Sequence, residues 1–239
     1  KYTLMNFQGT MDNMTVNLAG KRVLVTQADD YMGPQSIESF RAAGAEVIAD
    51  RTDLTDPGAA AQIVKDAGPL DILIANLAAP NHYGVPVAEV DDEIWASVFD
   101  IMVHPLHRLV RAAAPGMIER EQGKIIVYGS ATPLRGMPRL AAYTAARGAQ
   151  AAYVRAVGVE LARNNIQVNL IAQNFVESDV YYPKSMQENP KFQANLKRDV
   201  PLGRLARAEE DVALAMFLAS NDSDFFVGQV IPFAGGWVS

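Results

Sequence analysis

The sequence of 239 residues contains no cysteine and only three histidines, His82, His104 and His107. The absence of cysteine excludes disulfides, thiolate nucleophiles and cysteine-ligated metals, and it fits a reducing compartment. His104 and His107 are close enough to share one helix face, but no carboxylate-bearing metal motif accompanies them. We therefore expect no metal site and assign these histidines to a helix surface or an interface.

Long apolar runs and an excess of basic residues are also missing. No apolar stretch reaches the roughly 18 residues that span a bilayer, and the first 20 residues lack the unbroken apolar segment of a signal peptide. The 21 Lys and Arg against 27 Asp and Glu give a net charge of -6, which argues against a surface for nucleic acid. We predict a cytoplasmic protein with no membrane or nucleic-acid partner.

Short apolar runs alternate with longer amphipathic stretches along the chain. The runs predict strands at 21–27, 46–50, 70–76, 124–130, 166–173 and 229–235, and the other stretches predict helices at 33–43, 58–67, 91–120, 141–163 and 208–220. Strands that are apolar on both faces, separated by helices, imply a parallel sheet covered on both sides. We predict a Rossmann-like, doubly wound parallel sheet of about seven strands in a three-layer α/β/α domain at 19–239, after an N-terminal arm at 1–18.

The carboxyl ends of the predicted strands are the expected place for a ligand, because open α/β sheets bind ligands at that edge. Gln27, Asn76, Ser130 and Gln173 fall there. The segment 174–200 follows a strand directly and is the longest irregular stretch of the chain. It suits a substrate loop, although it is equally suited to cover an edge of the core.

The most informative pattern is Ser130 at a strand end, followed by Tyr143 and Arg147 on the next helix. Residues four apart share a helix face about 6 Å apart, so the arginine charge favours the phenolate form of Tyr143 and makes it a candidate base. Ser130 is placed to donate a hydrogen bond to the same substrate oxygen. The alternative is a surface tyrosine beside a solvated arginine, but the Ala and Gly around the pair favour close approach of a ligand.

This arrangement resembles the short-chain dehydrogenase/reductase superfamily from about Lys21 to Ser239. That superfamily has lysine where Arg147 stands, and the two residues are not interchangeable at such a site. Its nucleotide loop, T-G-x-x-x-G-x-G, reads TQADDYMG here, with Gln27 and Tyr31 at the first two glycine positions and only Gly33 retained. Glycine at those positions lets backbone N–H groups approach a pyrophosphate closely.

Further departures point the same way. Asp29 and Asp30 in the altered loop add repulsion against a diphosphate. The superfamily's N-N-A-G motif reads ANLA at 75–78, which keeps Asn76 but loses the glycine, and its catalytic asparagine aligns best with Met102. We therefore expect no nicotinamide cofactor.

These traits together resemble the halohydrin dehalogenases, and in particular their B-type members. The similar segments are YGSATP (128–133), AAYTAARGA (141–149), VPLGRL (200–205), FLAS (217–220) and VGQVIPFAGGW (227–237). The resemblance implies that Ser130 and Tyr143 hold the hydroxyl of a vicinal haloalcohol while Arg147 stabilises the phenolate. The resulting alkoxide displaces halide to give an epoxide, and small anions open epoxides in the reverse direction.

The same resemblance identifies AQNFVE (172–177) as a halide-binding loop, with Gln173, Asn174, Phe175 and Val176 as candidate contacts. That family often has proline where Gln173 stands. We expect Tyr31 to form the opposite wall of the halide site. Tyr181 and Tyr182 are candidates for the substrate pocket, or alternatively cover an edge of the core.

By analogy with the superfamily, the helices at 91–120 and 141–163 are expected to pack in a homotetramer. Two alternative functions remain at this point. One is an NAD(P)-dependent short-chain oxidoreductase with an altered loop, which binding of NAD(P)H would reveal. The other is a non-catalytic sensor that uses the vacant nucleotide cleft, although a sensor has no need for a poised base.

Overall fold

Six segments form one parallel sheet in the computed structural model of the protein, which describes residues 16–81 and 83–238. The strands are β1 (Arg22–Val25), β2 (Glu46–Ala49), β3 (Ile72–Asn76), β4 (Gly123–Tyr128), β5 (Ile166–Gln173) and β6 (Val230–Phe233). Their order across the sheet is β2-β1-β3-β4-β5-β6. The three central strands β3, β4 and β5 are buried along their whole length, as expected for strands covered on both faces.

Helices cover both faces of this sheet. They are α1 (Gly33–Ala42), α2 (Ala59–Ala67), α3 (Asp92–Glu119), α4 (Thr132–Arg135), α5 (Ala141–Leu161), α6 (Lys184–Gln187), α7 (Pro190–Asp199) and α8 (Ala208–Ala219). One core lies between the sheet and α2, α3 and α5, and a second lies between the sheet and α1 and α8. The predicted Rossmann-like α/β/α fold is therefore confirmed.

The sheet has six strands in the described part of the chain, rather than the seven or so expected. After β2 the chain passes through 50–58, whose polar sequence DRTDLTDPG forms turns instead of an added edge strand. Asp50, Asp53 and Asp56 each accept a hydrogen bond from a backbone N–H two residues later. Such Asx turns compete with strand pairing.

The segment 174–200 is more ordered than its sequence suggested. It contains α6 and α7, so the prediction of an irregular stretch is wrong for its second half. Asn189 caps α7 by accepting from Lys191 N–H, and Pro190 occupies the first helical position. This asparagine and proline form an N-terminal helix signal that the sequence analysis missed.

The predicted arm at 1–18 lies mostly outside the described residues, which begin at Val16. Within the described part, Leu18 is buried between the sheet and α1, and its N–H donates to Ala43 O at 2.8 Å. Leu18 therefore packs as part of the domain.

Gly33 is the loop glycine that the chain retains, and the packing explains why. A Cβ atom at this position would lie 2.5 Å from Gln27 O and 2.6 Å from Ala28 O, both rigid backbone atoms.

We expect Gly33→Ala to lower the free energy of unfolding by about 1–3 kcal/mol, the usual cost of overpacking, as measured by urea denaturation. Gly148→Ala is the control, because its Cβ would meet only Pro133 at 3.7 Å; equal effects of the two substitutions would contradict this account.

Candidate active site

Tyr143 and Arg147 lie together on α5 at the carboxyl edge of the sheet, as the four-residue spacing predicts. Tyr143 is buried and Arg147 is fully buried. The guanidinium carbon of Arg147 lies 5.1 Å from the centre of the Tyr143 ring, within the range of a cation–π contact. The alternative of a surface tyrosine beside a solvated arginine is therefore wrong.

The Arg147 guanidinium is held by neutral groups. Its Nη1 donates to Tyr128 O and to Gln150 Oε1, each at 2.9 Å, and Gln150 Nε2 in turn donates to Met102 O at 2.8 Å. No carboxylate pairs with Arg147 in the described part of the chain, and its Nε has no partner there. A buried cation without a counterion strongly favours an anion beside it.

Two further phenols complete what we call the tyrosine–arginine cluster: Tyr31, Tyr143, Tyr181 and Arg147. The Tyr181 ring lies edge-on to Tyr31 at 5.0 Å and to Tyr143 at 6.1 Å, and Arg147 Nη2 donates to Tyr181 Oη at 3.4 Å. Burial acts to lower the pKa of Arg147, but the neighbouring phenols outweigh it and hold that pKa above its usual range. The guanidinium therefore stays charged.

Tyr31 and Tyr181 remain protonated phenols near neutral pH. Burial raises the pKa of Tyr31 well above its ordinary value, with Tyr143 adding to the shift and Arg147 partly opposing it. Burial also raises the pKa of Tyr181, again with Tyr143 adding and Arg147 opposing. The Tyr181 hydroxyl donates to Ala79 O at 2.9 Å. These two residues are suited to donate hydrogen bonds rather than to accept protons.

Ser130 lies just after the end of β4 and is buried. Its Oγ lies 3.1 Å from Thr132 Oγ1 and accepts from Thr132 N–H at 3.2 Å. Within residues 16–81 and 83–238 no hydrogen bond joins Ser130 to Tyr143. The Thr132 N–H uses one acceptor position of the Ser130 oxygen, and the Ser130 hydroxyl hydrogen can point to Thr132 Oγ1 or to a substrate oxygen.

The altered nucleotide loop keeps a glycine-like backbone at both substituted positions. Gln27 has a φ of 45° and Tyr31 a φ of 54°, a left-handed region that costs a non-glycine residue about 1 kcal/mol or more. The Gln27 side chain reaches the loop just after β3, where its Nε2 donates to Ala78 O at 3.2 Å and its Oε1 accepts from Ala78 N–H at 2.6 Å. Side chains thus fill a turn that glycines would leave open.

Asn76, which survives from the superfamily's motif after β3, holds this loop in place. Its Nδ2 donates to Gln27 O at 3.0 Å and to Asp30 O at 2.8 Å. Asp29 forms a bidentate pair with Arg51 at 2.6 and 2.7 Å, and the Arg51 hydrogen bond lowers its pKa. The expected repulsion by Asp29 is therefore partly offset by Arg51.

The loop after β5 has two buried donors that find no partner in the described chain. Asn174 N–H donates to Phe233 O at 3.0 Å, and Phe175 N–H donates to Asn174 Oδ1, also at 3.0 Å. Asn174 Nδ2 is buried without an acceptor, and the N–H of Val176 likewise has none among the described residues. Of the four residues expected to contact halide, Asn174 and Phe175 thus have backbone N–H groups that are already used, whereas Asn174 Nδ2 and Val176 N–H are left for a ligand.

Tyr181 and Tyr182 face different surroundings. The Tyr182 ring centre lies 5.9 Å from that of Phe175 and 5.8 Å from that of Phe192, and Phe175 in turn packs edge-on to Trp237 at 5.8 Å. Its hydroxyl donates to Asn174 Oδ1 at 2.9 Å, and burial raises its pKa. Tyr181 therefore belongs to the tyrosine–arginine cluster, and Tyr182 packs against the loop after β5.

Two buried polar residues near the site were missed by the sequence analysis. Gln150 links Arg147 to α3, and the fully buried Asp211 on α8 accepts a hydrogen bond from Gln173 Nε2. Asp211 lies on the same stripe of its helix as Ala215 and Leu218, both buried. A carboxyl within an apolar stripe was the available signal.

The two histidines that the structure describes lie on α3. His104 lies 3.7 Å from Asp100 on the same helix, and His107 packs edge-on to Tyr153, while His82 lies outside the described residues. The described residues contain no group of three or more His, Cys, Asp and Glu side chains that could hold a metal. None of their helices is long and apolar enough to cross a membrane.

The sequence matches the protein-family model described as enoyl-(acyl carrier protein) reductase over residues 14–238. It is 28% identical to 5-keto-D-gluconate 5-reductase of Escherichia coli (strain K12), over 91% of this chain and 85% of that protein. It is also 28% identical to dehydrogenase/reductase SDR family member 4 of Bos taurus, over 75% of this chain but only 63% of that protein. A solved structure described as a dehalogenation enzyme superposes with a TM-score of 0.86 at 31% identity, over 92% of this chain and 99% of that one.

The family match extends over nearly the whole chain and includes all four residues of the tyrosine–arginine cluster. The parallel sheet with helices on both faces agrees with it. The chain therefore belongs to the family described as enoyl-(acyl carrier protein) reductase, within the short-chain dehydrogenase/reductase superfamily.

Proposed function

We propose that the protein is a halohydrin dehalogenase, which converts vicinal haloalcohols to epoxides without a cofactor. The observation that carries this proposal is the position of Tyr31. From the turn between β1 and α1, its side chain reaches the end of β5 and donates a hydrogen bond to Gln173 Oε1. It therefore lies across the edge of the sheet along which a dinucleotide would run.

The residues at this edge do not fit a nicotinamide dinucleotide. A dinucleotide approaches the first turn closely because glycines leave its backbone N–H groups exposed. Here the side chains of Gln27 and Tyr31 occupy that turn, and Tyr31 also packs against Tyr181. Arg147, which replaces the superfamily's lysine, is bound to Tyr128 O and Gln150 and is buried beneath the phenols.

The tyrosine–arginine cluster suits removal of a hydroxyl proton. In the proposed reaction, Tyr143 as phenolate accepts the proton of the substrate hydroxyl, and the Arg147 charge stabilises the phenolate before transfer. Ser130 donates a hydrogen bond to the same oxygen. The alkoxide then forms a C–O bond to the neighbouring carbon while the C–halogen bond breaks, so that the electron pair leaves with the halide.

The loop after β5 offers a place for the departing halide. Asn174 Nδ2 is buried and lacks an acceptor, and its orientation is set because Oδ1 accepts from Phe175 N–H. A buried donor without a partner is costly, so an anion beside it recovers a hydrogen bond. Val176 N–H is a second candidate donor, and Tyr31, through Gln173, borders the same strand end.

An NAD(P)-dependent oxidoreductase is the second candidate function, because the family model and both curated relatives bear the names of reductases or dehydrogenases. This candidate requires the Tyr31 side chain to leave the edge of the sheet. It predicts that the double variant Gln27→Gly/Tyr31→Gly oxidises secondary alcohols with NAD(P), whereas the dehalogenase proposal predicts no such activity.

The deciding experiment measures chloride release from 1,3-dichloro-2-propanol with no cofactor added. In parallel, NAD(P)H fluorescence is titrated with the protein. We expect chloride release and no change in NAD(P)H fluorescence. Tight NAD(P)H binding without chloride release would overturn the proposal in favour of the oxidoreductase.

Tyr31→Ala is expected to weaken bromide binding and to slow turnover, each about tenfold, because one hydrogen-bonded wall of the site is lost. Bromide affinity can be followed by quenching of Trp237, whose ring lies 5.8 Å from Phe175. Trp95, the other tryptophan, is 45% exposed, so all variants carry Trp95→Phe. Tyr83→Ala, at an exposed tyrosine, is the control. If Tyr31→Ala binds bromide as tightly as the parent, Tyr31 only packs over the edge of the sheet and does not form a wall of the halide site.

A further inference from the structure

A buried chain of hydrogen bonds leads from Tyr31 to a carboxyl group that the proposed reaction does not use. The Tyr31 hydroxyl donates to Gln173 Oε1, and Gln173 Nε2 donates to Asp211 Oδ2. Gln173 is 3% exposed and Asp211 is fully buried. The chain thus joins the β1–α1 turn, the end of β5 and the first part of α8.

Asp211 lacks the partners that normally accompany a buried carboxylate. Its Oδ1 has no hydrogen bond, and no Lys, Arg or His pairs with it among the described residues. Burial raises the pKa of Asp211 to about 8, although the hydrogen bond from Gln173 acts to lower it. The group is therefore mostly a neutral acid at pH 7.

The protonation state of Asp211 determines which orientations of the Gln173 amide between Tyr31 and Asp211 are possible. An ionised Asp211 only accepts, so Gln173 directs Nε2 to it and Oε1 to Tyr31, whose hydrogen is then used inside the chain. A neutral Asp211 permits both orientations, because its carboxyl can still accept from Gln173 Nε2, as it does in the structure, or can donate to Gln173 Oε1. After a half-turn of the amide, Gln173 Nε2 donates to the Tyr31 oxygen, and the Tyr31 hydrogen becomes available to the pocket.

We propose that Asp211 is a positioning residue that acts through Gln173 to determine whether the Tyr31 hydroxyl donates to an anion in the pocket. The inference rests on the proposed dehalogenase function, with halide as the anion. Neutral Asp211 allows the halide-binding arrangement, in which the Gln173 amide is turned, whereas ionised Asp211 allows only the arrangement that withdraws the Tyr31 hydrogen.

The groups that face Asp211 come from several elements. Tyr31 from the β1–α1 turn and Tyr128 from β4 both feel its charge, and Ser36 of α1 pairs with Tyr128 Oη at 2.9 Å. On its own helix, Glu210 points away and pairs with Arg204 at 2.7 Å. Arg147 also acts on Tyr31, whose pKa it tends to lower against the larger effect of burial. Tyr31 and Tyr128 have raised pKa values because they are buried, so Asp211 is the first of the three to ionise as the pH rises.

The test measures the bromide dissociation constant between pH 6 and pH 9.5 by Trp237 quenching in the Trp95→Phe background. The parent should lose about tenfold in affinity as the pH rises through the region near 8, since Asp211 ionises there. Asp211→Asn stays neutral and can donate to Gln173 Oε1, so its affinity should change less than about twofold over the same range. Glu209→Gln removes an exposed charge from the same helix turn and should follow the parent.

Asp211→Leu provides the variant without any donor at this position. We expect its bromide affinity to be low and nearly constant with pH, whereas Asp211→Asn keeps the high affinity of the parent at pH 6. Rescue by asparagine but not by leucine separates positioning from simple packing. Identical pH profiles for the parent and Asp211→Asn, or no bromide binding by the parent at all, would overturn the inference.

Chloride release at pH 7 is measured on the same samples, so that two failures can be told apart. Chloride release with coincident pH profiles means that the Asp211 inference alone is wrong. Divergent profiles without chloride release mean that Asp211 controls an anion site but that the proposed function is wrong.

Melting temperatures provide the folding control. Relative to the parent, Asp211→Asn should be stabilised more at pH 7 than at pH 5. The reason is that ionisation of Asp211 in the unfolded parent lowers the free energy of that state as the pH rises from about 4 towards 8.

Discussion

Tyr143→Phe is expected to reduce halide release from a haloalcohol by at least about 100-fold, the usual contribution of a positioned base. Phenylalanine keeps the ring that packs against Tyr181 and lies beside Arg147, but it cannot accept a proton. The hydroxyl of the substrate then has no base, and the neutral alcohol is a poor nucleophile for displacement. The measurement is chloride release from 1,3-dichloro-2-propanol at several pH values.

Tyr153→Phe is the matched control for this substitution. Tyr153 lies further along α5, is only partly buried and packs against His107 rather than against the cluster. We expect it to keep the parent rate, and circular dichroism should be unchanged for both variants. If Tyr143→Phe retains more than a tenth of the parent rate, Tyr143 is not the base.

Arg147→Lys is expected to lower the rate about 10- to 100-fold at pH 7 and to move the pH–rate profile to higher pH. The planar guanidinium reaches Tyr128 O and Gln150 with one nitrogen and Tyr181 with another. A lysine ammonium is a single point charge and cannot occupy both positions. The charge beside Tyr143 is then weaker or misplaced, so the phenolate that accepts the substrate proton is less stabilised.

This substitution also separates the two candidate functions, because lysine is the residue that the superfamily has at this position. An oxidoreductase should gain NAD(P)-dependent activity from Arg147→Lys, whereas a dehalogenase should only lose halide release. Arg155→Lys, at an exposed arginine on the same helix, is the control. An unchanged pH–rate profile for Arg147→Lys would show that Arg147 does not stabilise the phenolate.

The order of strands and helices could be predicted because strands that are buried on both faces have continuous apolar sequences. Each of the six apolar runs forms a strand, and the five predicted helices agree with the structure to within a few residues. The seventh strand was expected by analogy and had no apolar run of its own. Helix α7 was missed because its mean composition is polar and its signal is confined to Asn189 and Pro190 at the start.

The position of the loop after β5, which we expected to bind halide, could be predicted from the sequence, but its hydrogen bonds could not. The segment AQNFVE follows a strand end, and this placed it at the correct edge of the sheet. Which of its donors are left for a ligand depends on neighbours far along the chain, since Phe233 uses the N–H of Asn174. The sequence offers no sign that Phe175 N–H is used by the preceding side chain.

The sequence by itself determined the relation between Tyr143 and Arg147, because the helical repeat fixes which residues share a face whatever surrounds the helix. It also determined that side chains replace glycine in the first turn. Only the tertiary structure decided what those side chains do. Tyr31 contacts Gln173 although the two are 142 residues apart, and Gln173 contacts Asp211, 38 residues further along the chain. These contacts form because the sheet brings the ends of β1 and β5 to one edge and α8 packs over them. They cannot be predicted from any local sequence pattern.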